Sequence, residues 1–545
     1  MKKNTRFIGI VIVLLFVCVF AFAKGEKEEA TEGKYNEIEL VCFEMGWTGP
    51  KADMDFVTPE IEKRTGFKIK YEPLTVATWD DLHKKLNLMA ASKEIPEAFF
   101  GSRDQFSIDL YNKMGQNDLI WEITDFVTEQ EVLYPLIRDA LYMFRDPSDD
   151  SHYILPTQTG SGYDLLNVPP GGPYFRVDWM EELGMEAPTT PEGLYEYCKR
   201  VKEEIVTAEN GQEVIPYLLN ENLQGASPYI FLRHWSLWND PKNNYEVYYG
   251  KYTNSPELMR AAKFWNKMYR DGLMDRQALI IKDAQFKEKV SSSRVGSFDG
   301  AYWEMNSLSD AAKQIDPDLM YISSGRMTDP QTKNPYNTYT WYPFPGAYSS
   351  IIFNKKVPEQ TVRNFIEMVD YIATEEGQIL VNFGIEGESF RYDEDGKIEI
   401  LPEFNEKTND MDWNKACAYG VIYWQQLVTD VNKFKHLQKT SPMLQREDNK
   451  LGWENTAWRR ELHSTDVPTK DYFYIPGELE KKLMKGIDTA FTEMWATVIA
   501  ADSEAEVEKI INKWAEEAKS LGIMDIVEER RQRIKEIDMD AIKNP

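Results

Sequence analysis

Between residues 37 and 100 the hydrophobic pattern predicts three strands separated by two helices. Residues 37–43 alternate and then become wholly apolar, residues 67–71 alternate, and residues 96–100 end in two phenylalanines. Strand, helix, strand, helix, strand builds a parallel sheet with right-handed connections. The sequence therefore predicts an α/β fold, in which ligands bind beyond the carboxyl ends of the strands.

A second group of elements begins at residue 172, where a short strand leads directly into a helix. Asp178 is the predicted N-cap of this helix and Gly184 its left-handed stop. Thr190 and Pro191 begin the next helix. The helices of this region are predicted at about 176–184, 190–206, 255–271 and 284–292. Trp179, Trp265 and Trp514 lie on helical stripes, which predicts that they are core residues.

Three motifs carry a family resemblance. They are Tyr174-Phe-Arg-Val-Asp-Trp179 with the following Leu-Gly and Pro-Thr-Thr-Pro-Glu, Arg294-Val-Gly-Ser-Phe-Asp-Gly-Ala-Tyr-Trp303, and Asn382-Phe-Gly-Ile-Glu-Gly-Glu-Ser-Phe-Arg-Tyr-Asp393. In this order they resemble the family 1 extracellular solute-binding proteins, the receptors of ABC-type sugar importers, and above all their large lipoprotein-like branch. The resemblance implies a two-lobed periplasmic-binding-protein-like fold of type II, in which each lobe is a sheet flanked by helices and the ligand cleft lies between the lobes.

The family's arrangement predicts the domain bounds. We expect a signal peptide at 1–23, a flexible leash at 24–36, a first lobe at 37–155 and 349–400, and a second lobe at 156–348 and 401–545. Extended, proline-bounded runs at about 153–160 and 341–354 are the predicted crossings between the lobes. A helix of the first lobe is predicted at 358–377, and the last helix is predicted to be capped by Ser503 with Glu506.

The N-terminus predicts secretion. Lys2, Lys3 and Arg6 precede an apolar run that ends in Ala21-Phe-Ala23, a small-x-small cleavage site. The alternative is a lipid anchor at Cys18, but Val17 before it is bulky where lipoprotein processing needs a small residue. We expect a free protein in the periplasm or at the cell surface.

Composition and missing motifs exclude several functions. The net charge of −27 argues against nucleic acid and anionic lipid surfaces. Three cysteines outside the leader, at 42, 198 and 417, form no disulfide framework. The chain lacks the nucleophile elbow, the HExxH zinc motif, the P-loop and a CxxC pair, and its five histidines lack ligand spacing. A glycosidase that uses a pair of carboxylates stays an alternative, because a chain this acidic always contains candidate pairs.

A sugar site needs aromatic rings against the C–H faces of the sugar and polar side chains for its hydroxyls. The loops after the predicted strands and beside the second crossing offer both. The candidates are Trp47, Arg103, Asp104, Asp299, Tyr302, Trp303, Trp341 and Tyr342. The resemblance implies direct contacts by Asp104 and Trp303.

The resemblance also raises a calcium question. Some members of the branch carry a calcium loop where this chain has residues 207–216. Here only Glu209, Asn210 and Glu213 offer side-chain oxygens, fewer than a shell of about six to eight ligands requires. We therefore expect no metal and no cofactor.

The predicted function is capture of a carbohydrate, an oligosaccharide in particular, for an ABC importer permease. We expect a monomer that is not an enzyme and that binds no nucleic acid. The alternatives are a secreted carbohydrate-active enzyme and a ligand-sensing surface protein without a transporter.

Overall fold

The computed structural model describes most of the chain from Tyr35 onward. The described residues are 35–44, 48–76, 79–102, 104–157, 172–219, 232, 235, 249–300, 302–323, 327, 349–409, 412–428, 446–455 and 470–539. Within them, no helix combines the length and the apolar character needed to cross a bilayer.

A five-stranded sheet forms from the predicted strand-helix alternation. Its strands are β1 (Glu37–Glu44), β2 (Lys68–Thr75), β3 (Ala98–Gly101), β4 (Leu155–Thr157) and β9 (Ser349–Phe353), in the order β2-β1-β3-β9-β4. β1 pairs in parallel with β2 and with β3, as predicted. β9 returns from the far part of the chain and pairs antiparallel with β3 and β4.

Helices cover both faces of this sheet. They are α1 (Val57–Thr65), α2 (Trp79–Ser92), α3 (Gln105–Gln116), α4 (Thr124–Thr128), α5 (Leu133–Phe144), α11 (Glu359–Ala373) and α12 (Glu375–Phe383). Along β1, Leu40 and Cys42 enter one core while Val41 and Phe43 enter the other. This alternation between two cores explains why the strand reads as continuously apolar.

A four-stranded sheet forms from the middle of the chain. Its strands are β5 (Gly172–Arg176), β6 (Ile215–Leu218), β7 (Val295–Gly300) and β8 (Tyr321–Ser323), in the order β6-β7-β5-β8. β6 and β7 are parallel, and β5 is antiparallel to both β7 and β8. On β5, Tyr174 and Phe175 enter separate cores, so this sheet is also covered on both faces.

The helices of the second sheet come from two distant parts of the chain. The first part supplies α6 (Val177–Glu182), α7 (Pro191–Arg200), α8 (Pro256–Arg270), α9 (Asp283–Ser291) and α10 (Tyr302–Ala312). The second supplies α15 (Glu447–Asn455), α16 (Glu478–Ala500), α17 (Glu504–Ser520) and α18 (Ile523–Glu536). Trp179, Trp265 and Trp514 are all buried in one core here, which confirms the prediction for these three side chains.

The stretch after residue 400 departs from the predicted bounds. It holds α13 (Pro402–Thr408) and α14 (Trp413–Ala418), which follow the hairpin β10 (Phe390–Tyr392) and β11 (Ile398–Ile400). Phe404, Cys417 and Trp424 lie in the core of the five-stranded sheet, and the Trp424 indole donates a 2.6 Å hydrogen bond to Thr58. Residues 402–428 therefore pack with the first sheet, where the prediction had placed them in the second lobe.

Two local expectations are also corrected. The predicted helix at 358–377 is two helices, because Thr374 ends α11 and accepts a hydrogen bond from the Gly377 amide as the N-cap of α12. Asp178 is not an N-cap: α6 begins after Arg176, and the carboxylate of Asp178 pairs with the Arg176 guanidinium. Gly184 does adopt the expected positive φ, and Thr190 does cap α7.

We call the five-stranded sheet with its helices the first lobe and the four-stranded sheet with its helices the second lobe. The chain passes between them three times, between β4 and β5, between β8 and β9, and between Val428 and α15. Most of each connection lies outside the described residues.

Candidate ligand-binding site

The carboxyl end of β3 leads into a capped helix. Asp104, the N-cap of α3, accepts hydrogen bonds from the Ser107 amide at 3.0 Å and from the Ser107 hydroxyl at 2.8 Å. Burial raises the pKa of Asp104, but hydrogen bonds from Ser102, Ser107 and His83 outweigh it, so this pKa lies below the usual aspartate value. Asp104 is therefore an ionised group that is already held by protein donors.

Two side chains that the sequence reasoning missed lie beside Asp104. Nε2 of His83, on α2, is 3.2 Å from Oδ2 of Asp104. The His83 ring also packs against the ring of Phe106, with 4.5 Å between centroids. Phe106 is 44% exposed and does not belong to the buried stripe of α3, which starts at Ser107 and Ile108. An apolar residue off the buried stripe of its helix was the available signal.

The end of β7 holds the candidate residues of the second lobe. Asp299 lies in β7 opposite Pro173 of β5 and is 2% exposed. Tyr302 and Trp303 form the first turn of α10, and their side chains lie outside what the structure describes. Trp47, Arg103, Trp341 and Tyr342 also lie outside the described residues. The roles assigned to all eight candidates, Asp104 included, stay predictions.

The two lobes meet beside α3. Nζ of Lys481, on α16 of the second lobe, donates to Oδ1 of Asp109 on α3 at 2.8 Å. Gln105 donates to the same oxygen at 2.7 Å. Nearby, Phe473 packs edge-on against Tyr142 of α5, with 6.1 Å between ring centroids. The helix that begins at Asp104 thus also carries a contact between the lobes.

A carboxylate cluster lies at the start of the second lobe. It consists of Asp178, Glu209 and Asp316, whose nearest oxygens lie within 4.8 Å of one another. The fully buried Arg176 guanidinium pairs with all three of these carboxylates. Arg176 also donates to the Ser293 carbonyl at 2.6 Å and stacks 4.0 Å from the Trp179 ring centroid.

This arrangement does not fit a calcium ion. The Arg176 guanidinium already pairs with all three carboxylates, so a cation bound among them would have to displace it or lie against its positive charge. In the loop at 207–216, Asn210 donates to the Ser292 carbonyl at 2.6 Å and accepts from the Gln212 amide at 2.9 Å. Glu209 pairs with Arg176, so Glu209 and Asn210 are both committed to protein partners.

The protonation states in the cluster follow from burial and pairing. Burial raises the pKa of Asp178 above its usual value even with Arg176 beside it. Hydrogen bonding to Asp178 and the surrounding negative charges outweigh the burial of Arg176, so its pKa is raised and it keeps its proton. The cluster is thus an internal ion-pair network in which Arg176 is the shared hydrogen-bond donor of three carboxylates.

Sequence relatives share the length of this chain. The polygalacturonan/rhamnogalacturonan-binding protein YtcQ of Bacillus subtilis is 21% identical over 552 residues, which cover 98% of this chain and 100% of that protein. Lipoprotein LipO of the same organism is 22% identical over 424 residues, which cover 74% of this chain and 77% of LipO.

Solved structures share the fold. The EF-hand mutant of the Streptococcus pneumoniae ABC-transporter substrate-binding protein FusA, in complex with fructo-nystose, superposes with a TM-score of 0.65 at 14% identity over 92% of this chain and 99% of that chain. A family model described as bacterial extracellular solute-binding protein matches residues 58–379, more than half of the sequence. The chain belongs to the bacterial extracellular solute-binding protein family.

Proposed function

We propose that the protein captures an oligosaccharide between its two lobes and delivers it to the permease of an ABC importer. The observation that carries the proposal is the division of the chain between two sheets, each with its own pair of cores, that are joined by three connections. A ligand that contacts both lobes binds the closed arrangement better than the open one and shifts the population toward closure. The permease then recognises the closed protein.

The carbohydrate assignment rests on relatives and on the residues at the cleft edges. YtcQ is named for binding polygalacturonan and rhamnogalacturonan, and the FusA structure holds fructo-nystose. In this chain, Asp104 stands at the carboxyl end of β3 and Trp303 follows the carboxyl end of β7. We propose that both contact the sugar, and that the protein works as a secreted monomer and leaves the sugar intact.

The proposed lobes differ from those predicted from the sequence alone. We propose that residues 37–157 and 349–428 form the first lobe, and that residues 172–323 and 446–539 form the second. The packing of Phe404 and Trp424 in the first core supports this division, as does the packing of Trp495 with Trp265 in the second.

A thermal melt with a panel of oligosaccharides tests the function. A ligand at one hundred times its Kd stabilises the native state by about 2.7 kcal/mol, which raises the melting temperature by several degrees. Chromatography of the sugar afterwards should recover it uncleaved. The absence of a shift across a broad panel, or the appearance of cleavage products, would contradict the proposal.

Two tryptophan variants separate binding from folding. Trp303→Ala should raise the Kd by about tenfold or more, which is about 1.4 kcal/mol, and change the melting temperature little. Trp514 is buried and donates to the Lys251 carbonyl at 3.0 Å, so Trp514→Phe should lower the melting temperature and leave the Kd of the folded protein unchanged. Equal effects of the two changes on the Kd would remove the role assigned to Trp303.

A further inference from the structure

Phe106, in the first turn of α3, has a solvent-exposed aromatic ring. It is 44% exposed, although burial of a phenylalanine ring stabilises a protein by about 1.5–3 kcal/mol. Its helix has a buried stripe that includes Ile108 and Tyr111, and Phe106 stands outside it. The ring therefore contributes little to the core of the first lobe.

The Phe106 ring is nevertheless held in place. His83 on α2 packs on it at 4.5 Å between centroids, with 42° between the ring planes. Nε2 of His83 in turn lies 3.2 Å from Oδ2 of Asp104, and Asp104 is fixed by its two hydrogen bonds to Ser107. One side of the phenylalanine is thus supported by a chain of contacts, and the exposed remainder is available to a ligand.

Phe106 also lies on the helix that contacts the second lobe. It lies two residues after the N-cap that follows the carboxyl end of β3, the edge at which parallel sheets bind ligands. Residues three apart share a helix face, and Asp109, three residues on, pairs with Lys481 of the second lobe at 2.8 Å. A ring on this face is therefore close to the surface that a ligand between the lobes would occupy.

The charges around Phe106 restrict what binds there. Asp104 precedes it by two residues and Asp109 follows it by three, and Lys481 pairs with the second of these carboxylates. A sugar ring carrying its own carboxylate would be repelled by Asp104. A neutral ring meets no such penalty, because its C–H face needs only an apolar surface.

We propose that Phe106, backed by His83, is a subsite of the first lobe that stacks against a neutral sugar ring, and that Asp104 acts here as a positioning residue for His83. This inference rests on the proposed function and adds the residue and the class of sugar. It assigns the ring stacking to Phe106, beside the sugar contact proposed for Asp104.

Calorimetric titration of the wild-type protein comes first. The panel contains the neutral probes cellotetraose, xylotetraose, mannotetraose and kestose, with tetragalacturonate as the acidic probe. Binding of a neutral probe and no binding of tetragalacturonate are expected. Binding of tetragalacturonate, alone or together with a neutral probe, would overturn the neutral-ring assignment, and binding of no sugar in these titrations or in the broad melt panel would overturn the proposed function instead.

Variants then test the ring with the neutral probe that binds. Phe106→Ala should raise the Kd by about tenfold or more, and Phe106→Tyr, which keeps an aromatic face, should stay within about threefold of wild type. Because Phe106 is exposed, its replacement should leave the melting temperature of the free protein nearly unchanged. Tyr392→Ala is the matched control, since Tyr392 is 40% exposed on the hairpin strand β10. A Phe106→Ala protein that binds as wild type, or a Tyr392→Ala protein that loses as much affinity, would overturn the subsite and leave the proposed function standing.

Discussion

Replacement of Arg176 by methionine should lower the free energy of unfolding of the second lobe by about 3–5 kcal/mol, the usual cost of breaking a buried ion pair by removing one partner. Arg176 is fully buried, and its loss leaves the carboxylate cluster without a positive charge. Asp316 is 8% and Asp178 23% exposed, whereas Glu209 is 43% exposed and well solvated. Most of the cost should therefore come from Asp316 and Asp178.

The destabilisation should depend on pH with a defined sign. Without Arg176, burial and repulsion by Asp316 raise the folded-state pKa of Asp178 further above its unfolded value. A raised folded pKa favours the native state below the unfolded pKa, and this advantage is lost as the pH rises. The gap between wild type and Arg176→Met should thus be largest near pH 8 and smaller near pH 5.

Urea unfolding at the two pH values measures this gap. Lys263→Met is the control, because Lys263 pairs with Glu508 on the surface of the same lobe, and such a pair contributes at most about 1 kcal/mol. The double variant Arg176→Met with Asp316→Asn should recover part of the loss, because it removes one of the unpaired charges. A loss below about 1 kcal/mol for Arg176→Met, or a gap that does not change with pH, would refute the reasoning.

Two further predictions concern buried titratable groups. Burial lowers the pKa of the Lys251 ammonium to about 7, against the attraction of Asp488 and Glu480 and with the repulsion of Arg530. Between pH 7 and 8.5 Lys251 is protonated in the unfolded chain and loses its proton in the folded protein. As the pH rises, the free energy of unfolding of wild type should therefore increase, relative to that of Lys251→Met, by up to about 1.4 kcal/mol per pH unit. Parallel pH profiles of the two proteins in urea unfolding would contradict this. Cys42, Cys198 and Cys417 are buried, and burial raises the pKa of each thiol. A protein that begins at Lys24, and so lacks Cys18, should therefore react with Ellman's reagent only after unfolding. Rapid labelling of the native protein would show that a thiol is accessible.

Local signals predicted much of the fold. Short-range hydrophobic periodicity predicts the alternation of β1, α1, β2, α2 and β3, and the parallel pairing of the strands follows from that alternation. The caps at Thr190 and Ser503 depend on residues three positions away, and the structure confirms both. The family motifs added the two-lobed arrangement, which periodicity alone does not specify.

Long-range competition decided what the sequence could not predict. Asp178 has the spacing of an N-cap, but its carboxylate faces Arg176, which also binds Asp316 from 140 residues away. Phe404 and Trp424 lie on elements that read only as helical, and their core is chosen by contacts with the distant first sheet. Such choices depend on which partners the tertiary fold brings near, and a local pattern does not contain them.

The candidate site shows the same division between topology and chemistry. The order of strands and helices places Asp104 just beyond the carboxyl end of β3, and an aspartate that follows a predicted strand can be recognised in the sequence. His83 on α2 contacts both Asp104 and Phe106, which connects α2 to α3. Asp109 pairs with Lys481, which connects the two lobes. Because Phe106 and Asp109 share one face of α3, the proposed sugar platform and the contact between lobes are parts of one surface. Under the proposed mechanism, closure of the second lobe onto α3 brings its ligand-binding residues toward the Phe106 ring, so capture and closure depend on the same helix.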